Sequence, residues 1–264
     1  MATGTTGTLG RHLSNLVQPI NLDLRSDFNL RDIINTEKML GIIHMAGIVG
    51  NSAVEANLSI SHEVNVIGTE KLGTQILESG VTRFIYVSSS HVYKPSDSLL
   101  FEDSDTGPIT SYGSQKLEAE EHLRQIFINE PERLCLVRVF SVLDWDMPKD
   151  SLGGAARRLL ETHGQSIIAN SDDRRDFLSP SQVSAALLTI AKTPSTHGTY
   201  NLCSGNVRTV GSAIRRMFER FPEVDLSESL IPGTSSNPII SGSNSKLLEA
   251  IPNLDLIWIP GLLN

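Results

Sequence analysis

Two periods of apolar residues alternate along most of the chain. Phe84-Ile85-Tyr86-Val87 and, but for Arg138, the 134–140 run LCLVRVF are apolar segments rich in β-branched and aromatic residues, as strands buried on both faces require. The GIIHMAG segment at 41–47 is a third such run and ends in small residues. Residues 20–24 alternate apolar and polar and predict a further strand. Helical periods lie between these runs. Val64, Gly68, Leu72 and Ile76 share one face of a helix over 63–79. Leu117, Leu123, Ile126 and Phe127 predict a helix over 112–128, with Glu118, Glu121 and Arg124 turned outward. Shorter helices are expected over 11–18, where Pro19 closes the segment, over 181–192 and over 209–220, with a strand at 199–202. Residues 50–62 read as a loop or short helix. Strand and helix in alternation predict an α/β fold with a doubly wound parallel sheet.

After Ser141 the periodicity becomes less regular, with Asp-rich turns and paired glycines, and a Pro/Ser/Gly-rich stretch occupies 227–245. The expected division is a larger domain of residues 1–141, with 176–203 returning to it, and a smaller lobe of 142–175 and 204–264.

Composition narrows the classes. The 264 residues are 39% hydrophobic and 20% charged, an ordinary globular balance that argues against global disorder. A net charge of −8 without a Lys/Arg cluster argues against a nucleic-acid partner. Both cysteines, Cys135 and Cys203, fall in apolar strand-like runs, which suits buried free thiols in a reducing compartment. No apolar run approaches the length of a membrane span, and no basic segment followed by a hydrophobic one opens the chain. The expectation is a cytoplasmic protein without a membrane partner.

Candidate chemistry gathers at the predicted carboxyl edge of the sheet, where open α/β folds place their ligands. Gly4, Gly7 and Gly10 are evenly spaced in MATGTTGTLG; such glycines permit a tight turn and close approach of backbone N–H groups to a pyrophosphate. A following helix would aim its positive end at the same phosphates. Met1-Ala2-Thr3 leave room for only a very short first strand, or the chain is a trimmed form of a longer one. Asp23 falls near the roughly 20-residue offset at which an acid meets the adenosine ribose, while Arg25 beside it suits a 2′-phosphate. The cofactor expected on this ground is NAD or NADP. Ala46 and Gly47 end a strand with side chains small enough for a flat cofactor to lie against backbone, and His44 reads as a packed strand residue.

The run Ser88-Ser89-Ser90 ends a strand in hydroxyls, and Tyr112 and Lys116 stand one helical turn apart. A free tyrosine, with a pKa of about 10, is too weak an acid to serve as its conjugate base near neutral pH. An ammonium on the same helical face favours the phenolate, and a cationic nicotinamide would favour it further. Hydroxyl, phenol and ammonium together suit hydride transfer between a nicotinamide and a carbinol or ketone.

Read in order, these segments resemble the extended short-chain dehydrogenase/reductase family, the NAD-dependent epimerase/dehydratase group that acts on nucleotide sugars. ATGTTGTLG is similar to its glycine fingerprint and IIHMAG to its third strand. EVNVIGTEKL matches its N-x-x-G-T helix, YVSSSHVY its serine-bearing strand, YGSQK its Y-x-x-x-K motif and RRDFLSPSQV its R-D-F segment. The resemblance implies a Rossmann-type sheet with a smaller C-terminal substrate-binding lobe. It implies Ser89, Tyr112 and Lys116 as catalytic residues. Gly4, Gly7, Gly10, Asp23, Ala46, Gly47 and Asn65, with Tyr112 and Lys116, are the implied cofactor contacts. Ser90 and Arg175 are the implied substrate contacts, and no metal is assigned. It also implies a nucleotide-sugar substrate and a homodimer through the helices at 63–79 and 112–128. The sequence departs from the pattern in two places. Ser90-His91 replace the acidic pair of the family's 4,6-dehydratases, which disfavours dehydration. Ser141 and Asp144 stand in a segment where the family's asparagine and Gly-Pro turn are lost. The activity expected is that of an NAD(P)-dependent epimerase or 4-keto reductase; the alternative is a dinucleotide sensor or scaffold of the same fold without catalysis.

Overall fold

Short strands carry the apolar runs into one sheet. The computed structural model describes residues 1–34, 41–233, 239–258 and 260, so part of the Pro/Ser/Gly-rich stretch and of the C-terminal segment lies outside the described residues. The elements follow as β1 (Ala2–Thr3), a 3₁₀ turn (Gly10–His12), β2 (Pro19–Ile20), α1 (Leu30–Ile33) and β3 (Ile42–His44). Next come α2 (Asn51–Ala56), α3 (Leu58–His62), a π-helical turn (Glu63–Ile67), α4 (Gly68–Ser79), β4 (Phe84–Ser89), α5 (Ser111–Ile126) and β5 (Leu134–Val139). The chain continues through β6 (Ser141–Val142), α6 (Leu152–Glu161), β7 (Arg174–Leu178), α7 (Pro180–Lys192), β8 (Gly198–Leu202), β9 (Val207–Thr209), α8 (Val210–Phe218) and α9 (Ser245–Ala250).

Among the described residues, the main sheet has six parallel strands in the order β2-β1-β3-β4-β5-β8. The order reverses between β1 and β3, and such a switch point opens a crevice at the carboxyl ends of the strands. Side chains alternate across the sheet. Ile42, Phe84, Tyr86, Leu134 and Leu136 pack against Leu72 and Ile76 of α4 and Leu123 of α5. Ile43, Ile85, Val87, Cys135 and Val137 pack against Val183, Leu187 and Ile190 of α7 and Leu247 of α9. Both faces are covered, which explains why these strands read as unbroken apolar runs. Cys135 and Cys203 are buried free thiols. No helix among the described residues is long and apolar enough to cross a membrane.

β6, β7 and β9 form a second sheet over a separate apolar cluster that includes Leu143, Trp145, Leu159, Phe177, Ile214, Phe218 and Trp258. Asp176 holds this layer to the main sheet: its carboxylate accepts hydrogen bonds from Ser204 N–H and hydroxyl, both at 2.7 Å, and from Gly205 N–H at 2.8 Å.

Two expected elements are shorter than the pattern suggests. The segment 11–18 forms only the 3₁₀ turn, because Gly10, Ser14 and Asn15 are poor helix formers in a stretch too short to nucleate. The strand expected over 20–24 stops at Ile20, because Asp23 starts a turn: its carbonyl accepts Ser26 N–H at 3.1 Å and its carboxylate accepts Arg25 N–H at 3.1 Å. The longer helices begin where their caps dictate. Thr110 accepts Gly113 N–H at the start of α5, and Ser179 with Gln182 forms a capping box at the start of α7.

A buried charge cluster joins α5 to β4 and β5. Glu120, fully buried, accepts hydrogen bonds from Ser88, from the Arg138 guanidinium at 2.7 Å and from Arg124 at 2.8 Å. Arg138 also lies 4.6 Å from the centre of the Tyr93 ring. Removing one member strands the other charge, so Glu120→Leu is expected to lower stability by about 3–5 kcal/mol in urea unfolding. The double variant Glu120→Leu/Arg138→Met should recover most of that loss; a double variant as unstable as the single one would show that the charge pair is not the source.

Candidate active site

The expected site residues follow the strand ends. Gly4 leaves β1 with a φ of 70°, a left-handed turn that a side chain would strain, and a Cβ there would lie 2.6 Å from Ala46 N. A Cβ at Gly10 would collide with the Gly4 carbonyl. Gly7 differs: among the described residues nothing outside its immediate chain neighbours comes nearer than 3.4 Å to the place of its Cβ, so the loop is open to them on that side. Two contacts hold the loop from outside. Ser184 on α7 donates to Leu9 O at 2.8 Å, and Arg11 pairs with Asp146 at 2.8 Å. With the following helix reduced to one turn, the helix-dipole contribution expected at this loop is small.

The loop after β3 is shaped by Asn65. Its side chain accepts Ile48 N–H at 2.8 Å and donates to Ile48 O and Gln115 Oε1, each at 2.9 Å. Gln115 in turn donates to Ser61. Asn65 sits in the π-helical turn, and a Cβ on Gly47 would lie 2.9 Å from its Oδ1. Asn65 therefore acts on Ala46 and Gly47 by holding the loop that carries them. Asp23 is exposed and bound through both carboxylate oxygens to Arg25, at 3.1 and 3.2 Å. The two groups that read as rival cofactor determinants are paired to each other.

A row across the sheet supports the centre of the site. Thr3, His44 and Tyr86 lie in register on β1, β3 and β4. His44 is fully buried between Thr3 at 2.6 Å and Thr69 at 3.1 Å, and burial pulls its pKa down to about 3, so it is neutral. This is the packed strand residue the sequence suggests. Lys116 lies 4.7 Å from the centre of the Tyr86 ring and donates to Val87 O at 2.9 Å. An ammonium over an aromatic face gains about 2 kcal/mol or more when desolvated. Burial still lowers the Lys116 pKa to about 8, against the opposing pull of Glu120.

Tyr112 and Ser89 come together above this row. Burial pushes the Tyr112 phenol up to about 12, and its hydrogen bond with Ser89 acts the other way. The resting phenol is therefore protonated. Burial of the phenol outweighs its hydrogen bond with Ser89 and keeps it protonated, while the Lys116 ammonium is engaged with Val87 O and the Tyr86 ring. Ser89 Oγ also accepts His91 N–H at 3.2 Å. Ser90 is buried at the start of the turn that follows β4, and Ser88 is committed to Glu120. Arg175 on β7 pairs with Asp173 at 2.9 Å, and its charge reaches the His91 imidazole. The structure thus gathers Ser89, Ser90, Tyr112 and Lys116 at one strand end, with Arg175 approaching from the second sheet.

Three contributors were not singled out from sequence. Gly113 lacks a Cβ that would collide with His91 O, which lets α5 dock at this depth; its place inside Y-G-S-Q-K was the available signal. Glu120 stands one turn beyond Lys116 on the same helical face, and that spacing was the available signal. Tyr86 reads only as a strand residue, and its buried hydroxyl has no hydrogen-bond partner among the described residues.

Lys116 gives a signed pH effect. Its folded pKa of about 8 lies below the ordinary 10.5, so charging it opposes folding. Stability relative to Lys116→Met is expected to rise from pH 8 to 10.5, by up to about 3 kcal/mol, and to be flat below pH 8. Urea unfolding of both proteins across that range reads the difference directly; a parallel pH dependence would contradict a buried, depressed lysine.

The sequence model of the NAD dependent epimerase/dehydratase family matches residues 2–203. UDP-glucose 4-epimerase 3 of Oryza sativa subsp. japonica is 30% identical over 134 residues, covering 50% of this chain and 36% of that protein. The matched stretch is thus little more than a third of the epimerase's length. A dTDP-D-glucose 4,6-dehydratase of Mus musculus is 25% identical over 240 residues, covering 86% of this chain and 67% of that protein. Among solved structures, RMD from Pseudomonas aeruginosa complexed with NADPH superposes with a TM-score of 0.81 over 99% of this chain and 92% of its own, at 22% identity. The UDP-N-acetylglucosamine 4-epimerase of Methanobrevibacter ruminantium M1 superposes with a TM-score of 0.81 over 97% and 92%, at 17% identity. At these identities the superpositions show a shared Rossmann-like fold. The family match runs from β1 through the glycine loop, the Ser89 strand and the Tyr112 helix to β8, and the chain belongs to the NAD dependent epimerase/dehydratase family.

Proposed function

We propose that this protein is an NAD- or NADP-dependent enzyme that interconverts a carbinol and a ketone at C4 of a nucleotide sugar, as a 4-epimerase or a 4-keto reductase. One observation carries the reading: the Tyr112 phenol, hydrogen-bonded to Ser89, is held out of water at the carboxyl end of β4 with Lys116 one turn beyond it. The glycine loop fits a dinucleotide. Gly4 and Gly10 are closed in by the chain, while the place of the missing Cβ of Gly7 is open for a phosphate. Gly4, Gly7 and Gly10 would hold the pyrophosphate, Asp23 the adenosine ribose, and Ala46 and Gly47 the flat part of the cofactor along the loop fastened by Asn65. A nicotinamide bound there would supply hydride acceptance and return, and its positive charge when oxidised would favour the Tyr112 phenolate.

Tyr112 takes the proton of the 4-hydroxyl in the oxidative direction and returns it in the reductive one. A phenol held near 12 in the resting protein is a ready donor to a developing alkoxide. Ser89 donates to the substrate oxygen and keeps it in line with Tyr112. Lys116 holds the nicotinamide ribose. Ser90 and Arg175 bind the substrate, Arg175 through its phosphates, and the three-stranded sheet that carries Arg175 serves as the substrate lobe. Dehydration is disfavoured because Ser90 cannot replace a carboxylic acid as proton donor to a leaving hydroxyl. Arg25, exposed beside Asp23, is free to exchange its surface ion pair for a 2′-phosphate, so both dinucleotides remain candidates. A homodimer through the outer faces of α4 and α5 belongs to the same reading.

Tyr112→Phe is expected to lower turnover of the accepted sugar nucleotide by about 10²–10⁴-fold, with thermal stability unchanged. A panel of UDP-, GDP- and dTDP-sugars, followed by product chromatography for wild type and variant, makes the comparison. Equal rates in the two proteins would remove Tyr112 from the chemistry. Dinucleotide binding by wild type with no turnover on the panel would favour the sensor reading.

A further inference from the structure

The serines that end β4 serve different partners. Ser89 lies with Tyr112, whereas the Ser88 hydroxyl donates to the Glu120 carboxylate beneath α5. Glu120 stands one helical turn beyond Lys116 on the same face of α5 and is fully buried. Arg138 donates to it at 2.7 Å and Arg124 at 2.8 Å. Burial would raise the pKa of this carboxyl, but the Arg138 guanidinium, the Ser88 hydroxyl and the Arg124 charge outweigh it, so the group stays ionised. The titratable groups around Lys116 are His44 of β3, Tyr86 of β4 and, on its own helix, Tyr112 and Glu120; Arg138 of β5 and Arg124 stand behind Glu120. Burial keeps His44 neutral and both phenols protonated near neutral pH. Glu120 is therefore the anion among these groups. A carboxylate favours an ammonium beside it and a guanidinium opposes one, so Glu120 and Arg138 act on Lys116 with opposite signs.

We propose that Glu120 is a positioning residue for the chemistry at C4: its buried negative charge holds Lys116 as an ammonium, and Arg138 moderates that hold. The inference rests on the functional reading above for the task of Lys116, and deepens it by naming the group that keeps the lysine fit for that task. Lys116 is desolvated where it stands, and burial alone drives it towards the neutral amine. An oxidised nicotinamide beside it would add a positive charge and drive it further the same way. A neutral amine no longer favours the phenolate of Tyr112. A carboxylate in water could not correct this, because solvent and salt screen an exposed pair. Glu120 acts from inside the protein, where the effective dielectric is lower and the same charge reaches further. Sealed beneath α5 by Ser88 and Arg138, it acts on the reaction through Lys116.

The test reads the charge of Lys116 directly in the full chain. In protein labelled with ¹³C-lysine, the Lys116 Cε resonance, identified by its absence from Lys116→Met, is titrated by NMR from about pH 6 to 11. Glu120→Gln is expected to move its midpoint down by about one pH unit, and Arg138→Met to move it up by about as much. A merely structural role does not produce this pair of results. Either variant would then loosen α5, admit water and move the midpoint up. If Glu120→Gln does not fold alone, the comparison is made within Arg138→Met, where adding Glu120→Gln should lower the midpoint while restoring stability. A midpoint that rises or stays in place on loss of the Glu120 charge, in either background, would overturn the proposal. Turnover of an accepted sugar nucleotide is followed in parallel, and its alkaline loss should begin about one pH unit lower in Glu120→Gln than in wild type. An unmoved profile would also overturn the proposal. A moved midpoint in a protein that turns over no sugar nucleotide removes the C4 reading and leaves the coupling of Glu120 to Lys116. Turnover that Tyr112→Phe abolishes, beside an unmoved midpoint, does the reverse.

Discussion

The depth at which α5 docks against the carboxyl ends of β4 and β5 is the constraint on which the site depends. Gly113 removes the Cβ that would strike the His91 carbonyl, and Glu120 anchors the helix through Ser88 of β4 and Arg138 of β5. Burying those charges costs several kcal/mol for each ion, and only close pairing with every lone pair engaged offsets it. The return is position. With α5 held at this depth, Lys116 reaches the Val87 carbonyl and the Tyr86 ring, and Tyr112 reaches Ser89. The same dryness that raises the phenol and lowers the ammonium makes the pair sensitive to any charge brought beside it.

The rest of the crevice is organised by strand order. The sheet reverses between β1 and β3, and the loops that leave these two strands touch, Gly4 against Ala46. Asn65, in its π-helical turn, fastens the second loop by its backbone, and α7 fastens the first through Ser184. Three elements distant in sequence thus shape one crevice, although β1 itself has only two residues in the ladder.

The parts of the fold legible in the sequence were those where burial on both faces leaves few polar residues to confuse the pattern. β4, β5 and the faces of α4 and α7 fall within a residue or two of their expected positions for that reason. The segments between β1 and β3 were not legible in this way. There, turn chemistry at Asp23 and the weak helix propensity around Ser14 and Asn15 override an apolar alternation too short to dominate. In the site, spacing pointed to Tyr112 and Lys116 and the family resemblance to Ser89, whereas the part of Glu120 shows only once Ser88 and Arg138 stand beside it. Spacing also could not show that Arg25 would pair with Asp23, or that Lys116 would turn to a carbonyl and a ring. Those outcomes depend on partners contributed by other segments. His91 read only as the absence of an acidic pair until the structure set it against Tyr112.

All of these features converge on one claim, that the crevice between β1, β3 and β4 is a dinucleotide site. Calorimetric titration of the purified chain with NAD⁺ and NADP⁺ tests it most directly. Saturable one-to-one binding of at least one of them is expected. Absence of binding by both, in a protein that unfolds cooperatively and is therefore folded, would contradict it.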